Sequence, residues 1–200
     1  MLLTYKILEK RLGFDRALPV AEKWSAAADF LSIISDYCLQ KRPQTIVECG
    51  SGTSTLVLSQ CCKLNQHGHV YSLEHGEEFI SQTRQHLHDF SLADYCDILH
   101  APLKTAVLND EKFRWYDLEE LPALEIDLLV IDGPPGFIQK YSRYPALPVL
   151  NQLLAKNCTV FLDDAAREDE QEIVRRWLKN YPEFQAAYID NERGCFVLSK

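Results

Sequence analysis

Several things are scarce or missing in this sequence of 200 residues, and each absence narrows what it can be. No apolar segment reaches the roughly 18 residues that a bilayer crossing requires, so no membrane partner is expected. Positive charge is in deficit: 21 Lys+Arg face 29 Asp+Glu, a formal net charge of -8 with an isoelectric point near 5.2. Such a chain has no basic field with which to draw in phosphate backbones, and nucleic acid is not expected as a partner. There is no Cys-x-x-Cys pair. The cysteines, Cys38, Cys49, Cys61, Cys62, Cys96, Cys158 and Cys195, are odd in number and lie mostly in apolar runs, which reads as reduced, buried packing and supports neither a disulfide framework nor zinc. Cys61 and Cys62 are adjacent, but neighbours on a helix point in different directions, which argues against a dithiol pair. Residues 1–16 are interrupted by Lys6, Glu9, Lys10 and Arg11 and show no small-residue cleavage site, so a cytoplasmic location is expected. No repeat, low-complexity tract or linker divides the chain, which points to a single domain over 1–200.

What is present is the ordinary balance of a folded protein, 46% hydrophobic and 25% charged. Residues 21–40 carry Trp24, Ala27, Ala28, Phe30, Leu31, Ile34 and Tyr37 at helical spacing and stop before Pro43, so a leading amphipathic helix is expected there. Beyond it, strand-like and helix-like stretches alternate. Strands are expected over 45–48, 69–73, 96–99, 126–131 and 158–162, with helices over 55–64, 77–90, 146–155 and 167–179. The stretch 102–125 is polar and aromatic and reads as a long connection. Two closing strands, 184–189 and 195–198, are joined by a short turn with Asn191 and Gly194 and must run antiparallel to each other. Alternation with near-continuous apolar strands implies an α/β fold, with a mostly parallel seven-stranded sheet covered by helices on both faces.

In such sheets ligands sit beyond the carboxyl ends of the strands, so the residues that follow each strand carry the chemistry. The first is followed by Glu48-Cys49-Gly50-Ser51-Gly52-Thr53-Ser54-Thr55. Its glycines permit a sharp turn close to a ligand, and the free N–H groups of the next helix attract an anion; the bland reading is a tight turn and nothing more. The third glycine of a dinucleotide fingerprint is replaced by Thr55. The second strand, ending at Leu73, is followed by Glu74, spaced to accept both hydroxyls of a ribose, or else simply to lead the next helix beside Glu77 and Glu78. The fourth is followed by Asp132-Gly133-Pro134-Pro135-Gly136, where the acid faces a reacting centre or caps its loop. The fifth is followed by Asp163-Asp164. With Asp132 these carboxylates offer oxygen ligands to Mg2+ or another divalent cation; alternatively one caps the helix from Arg167 and its neighbour pairs with an arginine. Arg114-Trp115-Tyr116-Asp117 and Tyr141-Ser142-Arg143-Tyr144-Pro145 would wall an acceptor site or seal the core.

The turn Glu48-Cys49-Gly50-Ser51-Gly52, with Glu74 ending the second strand, resembles the first two motifs of the class I S-adenosylmethionine-dependent methyltransferases. The likeness runs over about residues 45–200 and implies a Rossmann-like, nucleoside-binding core behind a leading helical segment, 1–44. It implies S-adenosylmethionine as cofactor: Gly50, Ser51 and Gly52 beneath its methionine part, Glu48 helping to hold its ammonium, Glu74 on its ribose and His75 beside its adenine. After the third strand, His100-Ala101-Pro102-Leu103 lacks the acid that many members use to read adenine. Asp132 with Asp163-Asp164 resembles the arrangement in cation-dependent small-molecule O-methyltransferases. The expected reaction is methyl transfer to an oxygen of a small molecule, with Asp132 as base or with a divalent ion assisting. Two other readings are a nucleoside-binding module without chemistry and, disfavoured by the missing glycine, a nicotinamide-dependent oxidoreductase. Glu74 is expected at the pocket rim, where its loss would cost little stability.

Overall fold

The structure, a computed structural model, describes residues 2–21 and 24–200. Two helices precede the sheet. The first, α1 (Leu2–Leu12), places Tyr5, Leu8 and Leu12 on one buried stripe and ends at Gly13, whose φ of +69° suits the left-handed stop of a helix. The second, α2 (Ala28–Lys41), buries Phe30, Leu31, Ile34 and Cys38. It begins later than its apolar spacing implies. Ala21 and residues 24–27 are non-helical, and Glu22 and Lys23 of the expected helix lie outside the described residues. Hydrogen bonding explains the later start: Ala21 N donates to Ser25 Oγ at 2.9 Å, and the Tyr5 hydroxyl donates to the Ala26 carbonyl at 2.5 Å, which engages this segment before a helix can form.

From Thr45 the chain alternates as expected: β1 (Thr45–Cys49), α3 (Thr53–Asn65), β2 (His69–Glu74), α4 (Glu77–Asp89) and β3 (Cys96–His100). The stretch 102–125 departs from its reading as a plain connection. It holds an antiparallel ribbon, β4 (Leu103–Leu108) and β5 (Glu111–Tyr116), turned at Asn109 and Asp110 with φ of 50° and 66°. Positive φ at both central turn residues matches the twist of a hairpin, and Asn and Asp tolerate it. The remaining elements are β6 (Ile126–Ile131), α5 (Ala146–Leu150), β7 (Leu154–Leu162), α6 (Glu168–Asn180), β8 (Gln185–Ile189) and β9 (Cys195–Ser199). The helix expected over 146–155 is one turn of α5 and a 3-10 turn, Asn151–Leu153, because Leu154 already pairs with Ile126 in the sheet.

The seven strands lie in the order β3-β2-β1-β6-β7-β9-β8, parallel up to β7, with β9 antiparallel to both β7 and β8. Successive residues of a strand face opposite layers. On β6, Leu128 and Val130 join the core with Phe30, Ile34 and Leu56, whereas Leu129 and Ile131 join the other with Trp115, Leu147 and Trp177. Both faces are therefore dry. The seven cysteines are free and buried, as their apolar surroundings imply. Among the described residues no helix is long and apolar enough to cross a membrane.

Candidate active site

Strand order reverses between β1 and β6, since one connection leads outward to β2 and the other toward β7. The loops leaving those two strands part there and leave a cavity of about 880 Å3. Its floor is the first glycine turn. Gly50 N donates to the Leu73 carbonyl at 2.9 Å with φ at +98°, a conformation that side chains resist. A Cβ there would also approach Gly133 N at 3.4 Å. Gly52 precedes α3, and Ser51, Gly52, Thr53 and Ser54 line the cavity at that helix start.

Glu74 ends β2 on the cavity wall, but at 4% exposure it is no rim residue. Its Oε2 accepts from Ser51 N at 2.9 Å and from Ser51 Oγ at 3.2 Å, and its Oε1 accepts from the backbone of His75 and Gly76 at 2.8 Å each. Burial alone would raise its pKa; these donors, with His75 Nδ1 at 3.1 Å, outweigh burial and hold it below the usual carboxylate range. The expectation that Glu74 could be lost at little structural cost is corrected, because it ties the glycine turn to the start of α4.

Glu48 lies below the cavity and does not line it. Fully buried on β1, it accepts from Thr55 Oγ1 at 2.6 Å and from Ser72 Oγ at 2.9 Å, both on Oε2. Gly52 N donates in turn to Thr55 Oγ1 at 2.9 Å. In this arrangement Glu48 braces the turn from beneath through Oε2, while its Oε1 has no partner among the described residues. Burial raises its pKa to about 7, against the lowering donors Ser54, Thr55 and Ser72.

Asp132, Asp163 and Asp164 do come together, with one carboxylate oxygen of each within 4.8 Å of the others. A guanidinium stands among them. Arg143 Nη2 donates to Asp132 Oδ1 at 3.0 Å and to Asp164 Oδ2 at 2.8 Å, while Nη1 donates to the Asp163 carbonyl at 2.8 Å. Arg167 Nη1 also reaches Asp164 Oδ2, at 2.9 Å. Among the described residues neither oxygen of Asp163 has a partner and neither has Oδ1 of Asp164, the features of the cluster that suit a metal ion. An ion among these oxygens would, however, stand beside the guanidinium of Arg143 and, at Asp164, that of Arg167, and this like charge is what sets the residues present against the divalent cation expected from the three acids. Of the alternative reading, the pairing with an arginine is present at Asp164, whereas no side chain caps the helix that follows Arg167. Burial, opposed by Arg143, brings Asp132 up to about 6.

The mouth is aromatic. Trp24, 53% exposed, sits edge-on to Phe79 and to Phe137, each at 6.0 Å between ring centroids. Spacing assigned Trp24 to a helix face, and no motif pointed to Phe79; Phe137, next to the Pro134-Pro135-Gly136 loop, had a signal in its position over the pocket. Of the two aromatic stretches, Tyr116 and Arg143 reach the cavity, whereas Trp115 and Tyr144 seal the core and Arg114 bonds the Leu103 carbonyl on the ribbon. His75 lines the cavity with its ring 6.0 Å from that of Tyr116.

Residues 47–165 match the family model described as a methyltransferase domain. The chain belongs to that family. The matched span takes in Glu48, the glycine turn, Glu74, Asp132, Arg143 and the acid pair of this methyltransferase, and leaves Trp24, Arg167 and Arg193 outside. No curated protein matches its sequence. Solved structures share its fold, that of the class I S-adenosylmethionine-dependent methyltransferases. An O-methyltransferase from Bacillus cereus in complex with S-adenosylhomocysteine superposes with a TM-score of 0.69 at 15% identity, over 98% of this chain and 90% of that one. A methyltransferase from Podospora anserina bound to S-adenosylhomocysteine gives 0.68 at 17%, over 98% and 85%. The O-methyltransferase TomG from Streptomyces achromogenes, in complex with S-adenosylmethionine, gives 0.67 at 14%, over 99% and 88%.

Proposed function

We propose that this methyltransferase moves the methyl group of S-adenosylmethionine to an oxygen of a small-molecule acceptor. The observation that carries the reading is one cavity, at the reversal of strand order, lined on one wall by Gly50, Ser51, Gly52 and Glu74 and on the other by Asp132. Its volume falls in the range of about 300–1,000 Å3 typical of small-ligand sites. The methionine part would lie over the glycine turn at the start of α3, the ribose against Glu74, and the adenine between His75 and Phe79. Glu48 would act on the ammonium only through the turn it braces.

Methyl transfer from a sulfonium is an in-line displacement: the S–CH3 bond breaks as the O–CH3 bond forms, and the sulfur leaves as a neutral thioether. The protein's main work is to hold the acceptor oxygen against the methyl carbon. The hydroxyl proton goes to Asp132, whose Oδ2 carries no hydrogen bond among the described residues while Arg143 fixes Oδ1. A base that titrates near 6 is ionised at neutral pH and still basic enough to take that proton. Trp24 and Phe137 give the acceptor an apolar wall.

Isothermal titration with S-adenosylhomocysteine tests it. One-site binding is expected in wild type, at least about tenfold weaker in Glu74→Ala, which also melts lower because buried N–H groups lose their acceptor at about 1–3 kcal/mol each. No binding to wild type, or unchanged affinity in the variant, contradicts the assignment.

A further inference from the structure

We propose that the guanidinium of Arg143 is the resident cation of the carboxylate cluster, standing where a divalent ion would stand, and that this methyltransferase binds its cofactor and works without metal. The inference deepens the functional reading above and rests on it for the word "works"; the placement of the cation rests on geometry alone.

Arg143 is 2% exposed and lies on the connection between β6 and α5. Its neighbours fasten it there. Ser142 Oγ donates to the Pro134 carbonyl at 3.0 Å, Ala146 N donates to the Arg143 carbonyl at 3.2 Å, and Trp177 Nε1 donates to the Tyr144 carbonyl at 2.8 Å. From that anchor Nη2 reaches the end of β6, at the Asp132 carbonyl (2.6 Å) and Oδ1 (3.0 Å), and the end of β7, at Asp164 Oδ2 (2.8 Å). Nη1 reaches the Asp163 carbonyl at 2.8 Å and stands 3.9 Å from Glu170 Oε1, in the first turn of α6. One planar group thus joins the three elements that close this side of the cavity, a task suited to a fork of fixed donors that stays charged at any working pH. Mg2+ requires oxygens at about 2.0–2.1 Å in near-octahedral geometry. Asp132 Oδ1 and Asp164 Oδ2 are already donor-bound to a nitrogen between them, Asp164 Oδ2 also carries Arg167, and an ion on the oxygens without a partner, both of Asp163 and Oδ1 of Asp164, would stand beside these guanidinium groups. Arg143 is therefore a positioning residue: it holds Asp132 beside Asp164 despite their like charge and leaves Oδ2 of Asp132 for the acceptor.

The test is a Mn2+ titration of the full chain, read by the electron paramagnetic resonance of free Mn2+, with S-adenosylhomocysteine affinity measured in parallel in EDTA and in Mg2+. Wild type is expected to show no Mn2+ site tighter than on the order of 1 mM, and a cofactor affinity that is the same in both buffers. Arg143→Met keeps the length and removes the charge. It is expected to gain a Mn2+ site at least about tenfold tighter than any in wild type, while Arg143→Lys gains none and Arg143→Met combined with Asp132→Asn loses it. A stoichiometric Mn2+ site in wild type that disappears in Asp163→Asn overturns the proposal, and this result stands even if Arg143→Met does not fold. A protein that takes neither Mn2+ nor S-adenosylhomocysteine refutes the methyltransferase cofactor assignment and leaves the placement of the cation intact.

Discussion

Glu48 and Asp132 are acids of opposite use, and their titration separates them. In the unfolded chain Glu48 gives up its proton near 4.5, whereas the buried side chain keeps it to about 7. The folded protein therefore binds more protons across that window, so this group's effect on stability is most favourable below about pH 4.5, declines as pH rises through 7, and is level above. The shift corresponds to about 3 kcal/mol. Urea unfolding at pH 4.5 and pH 8 is expected to show wild type losing about that much more than Glu48→Gln; equal losses would mean that the carboxyl is not buried as described. Asp132 lines the cavity, and as the proposed base it is expected to make activity rise with pH through about 6 as the carboxylate ionises. Asp132→Asn is expected to lower turnover by about 10^2–10^4 with S-adenosylhomocysteine affinity little changed, which steady-state kinetics and calorimetry check together. A variant that turns over normally would remove Asp132 as the base.

Among the elements, the glycine turn between β1 and α3 is the most exacting. Gly50→Ala meets both the positive φ and the nearby backbone of Gly133. It is expected to cost about 1–3 kcal/mol of stability and to weaken cofactor binding more than Gly13→Ala, a glycine of positive φ with open space around it. Equal effects on binding would show that the turn does not cradle the ligand. The parallel strands were legible because strands buried on both faces read as unbroken apolar runs, Ile126 to Ile131 being the clearest. The ribbon was not, because β4 and β5 carry exposed polar residues such as Lys104, Thr105 and Arg114, and these masked Phe113 and Trp115. The start of α2 was misplaced for a tertiary reason: Ser25 hydrogen-bonds Thr53 at 3.0 Å, and Thr53 Oγ1 donates to the Pro19 carbonyl at 2.7 Å, which pins this segment to the head of α3. The same pinning carries Trp24 to the cavity mouth.

Over the whole molecule, the site draws on residues that the chain order keeps far apart, from Trp24 to Arg193. The acids and glycines at strand ends were readable in sequence because the sheet alone brings them together. Arg143, Phe79, Phe137 and Trp24 arrive on loops and helix starts, whose paths depend on packing rather than on local pattern, and so does the pairing of Arg143 with the acids. The leading segment packs on the sheet's helices: Tyr5, Leu8 and Leu12 enter one core with Phe30 and Leu56. The most direct measurement is a crystal structure with S-adenosylhomocysteine bound. The ribose is expected on Glu74, the amino acid part over Gly50 to Gly52, the sulfur turned toward Asp132, and the Arg143 guanidinium still between Asp132 and Asp164. Ligand density outside the cavity, or a metal ion in place of that guanidinium, would contradict it.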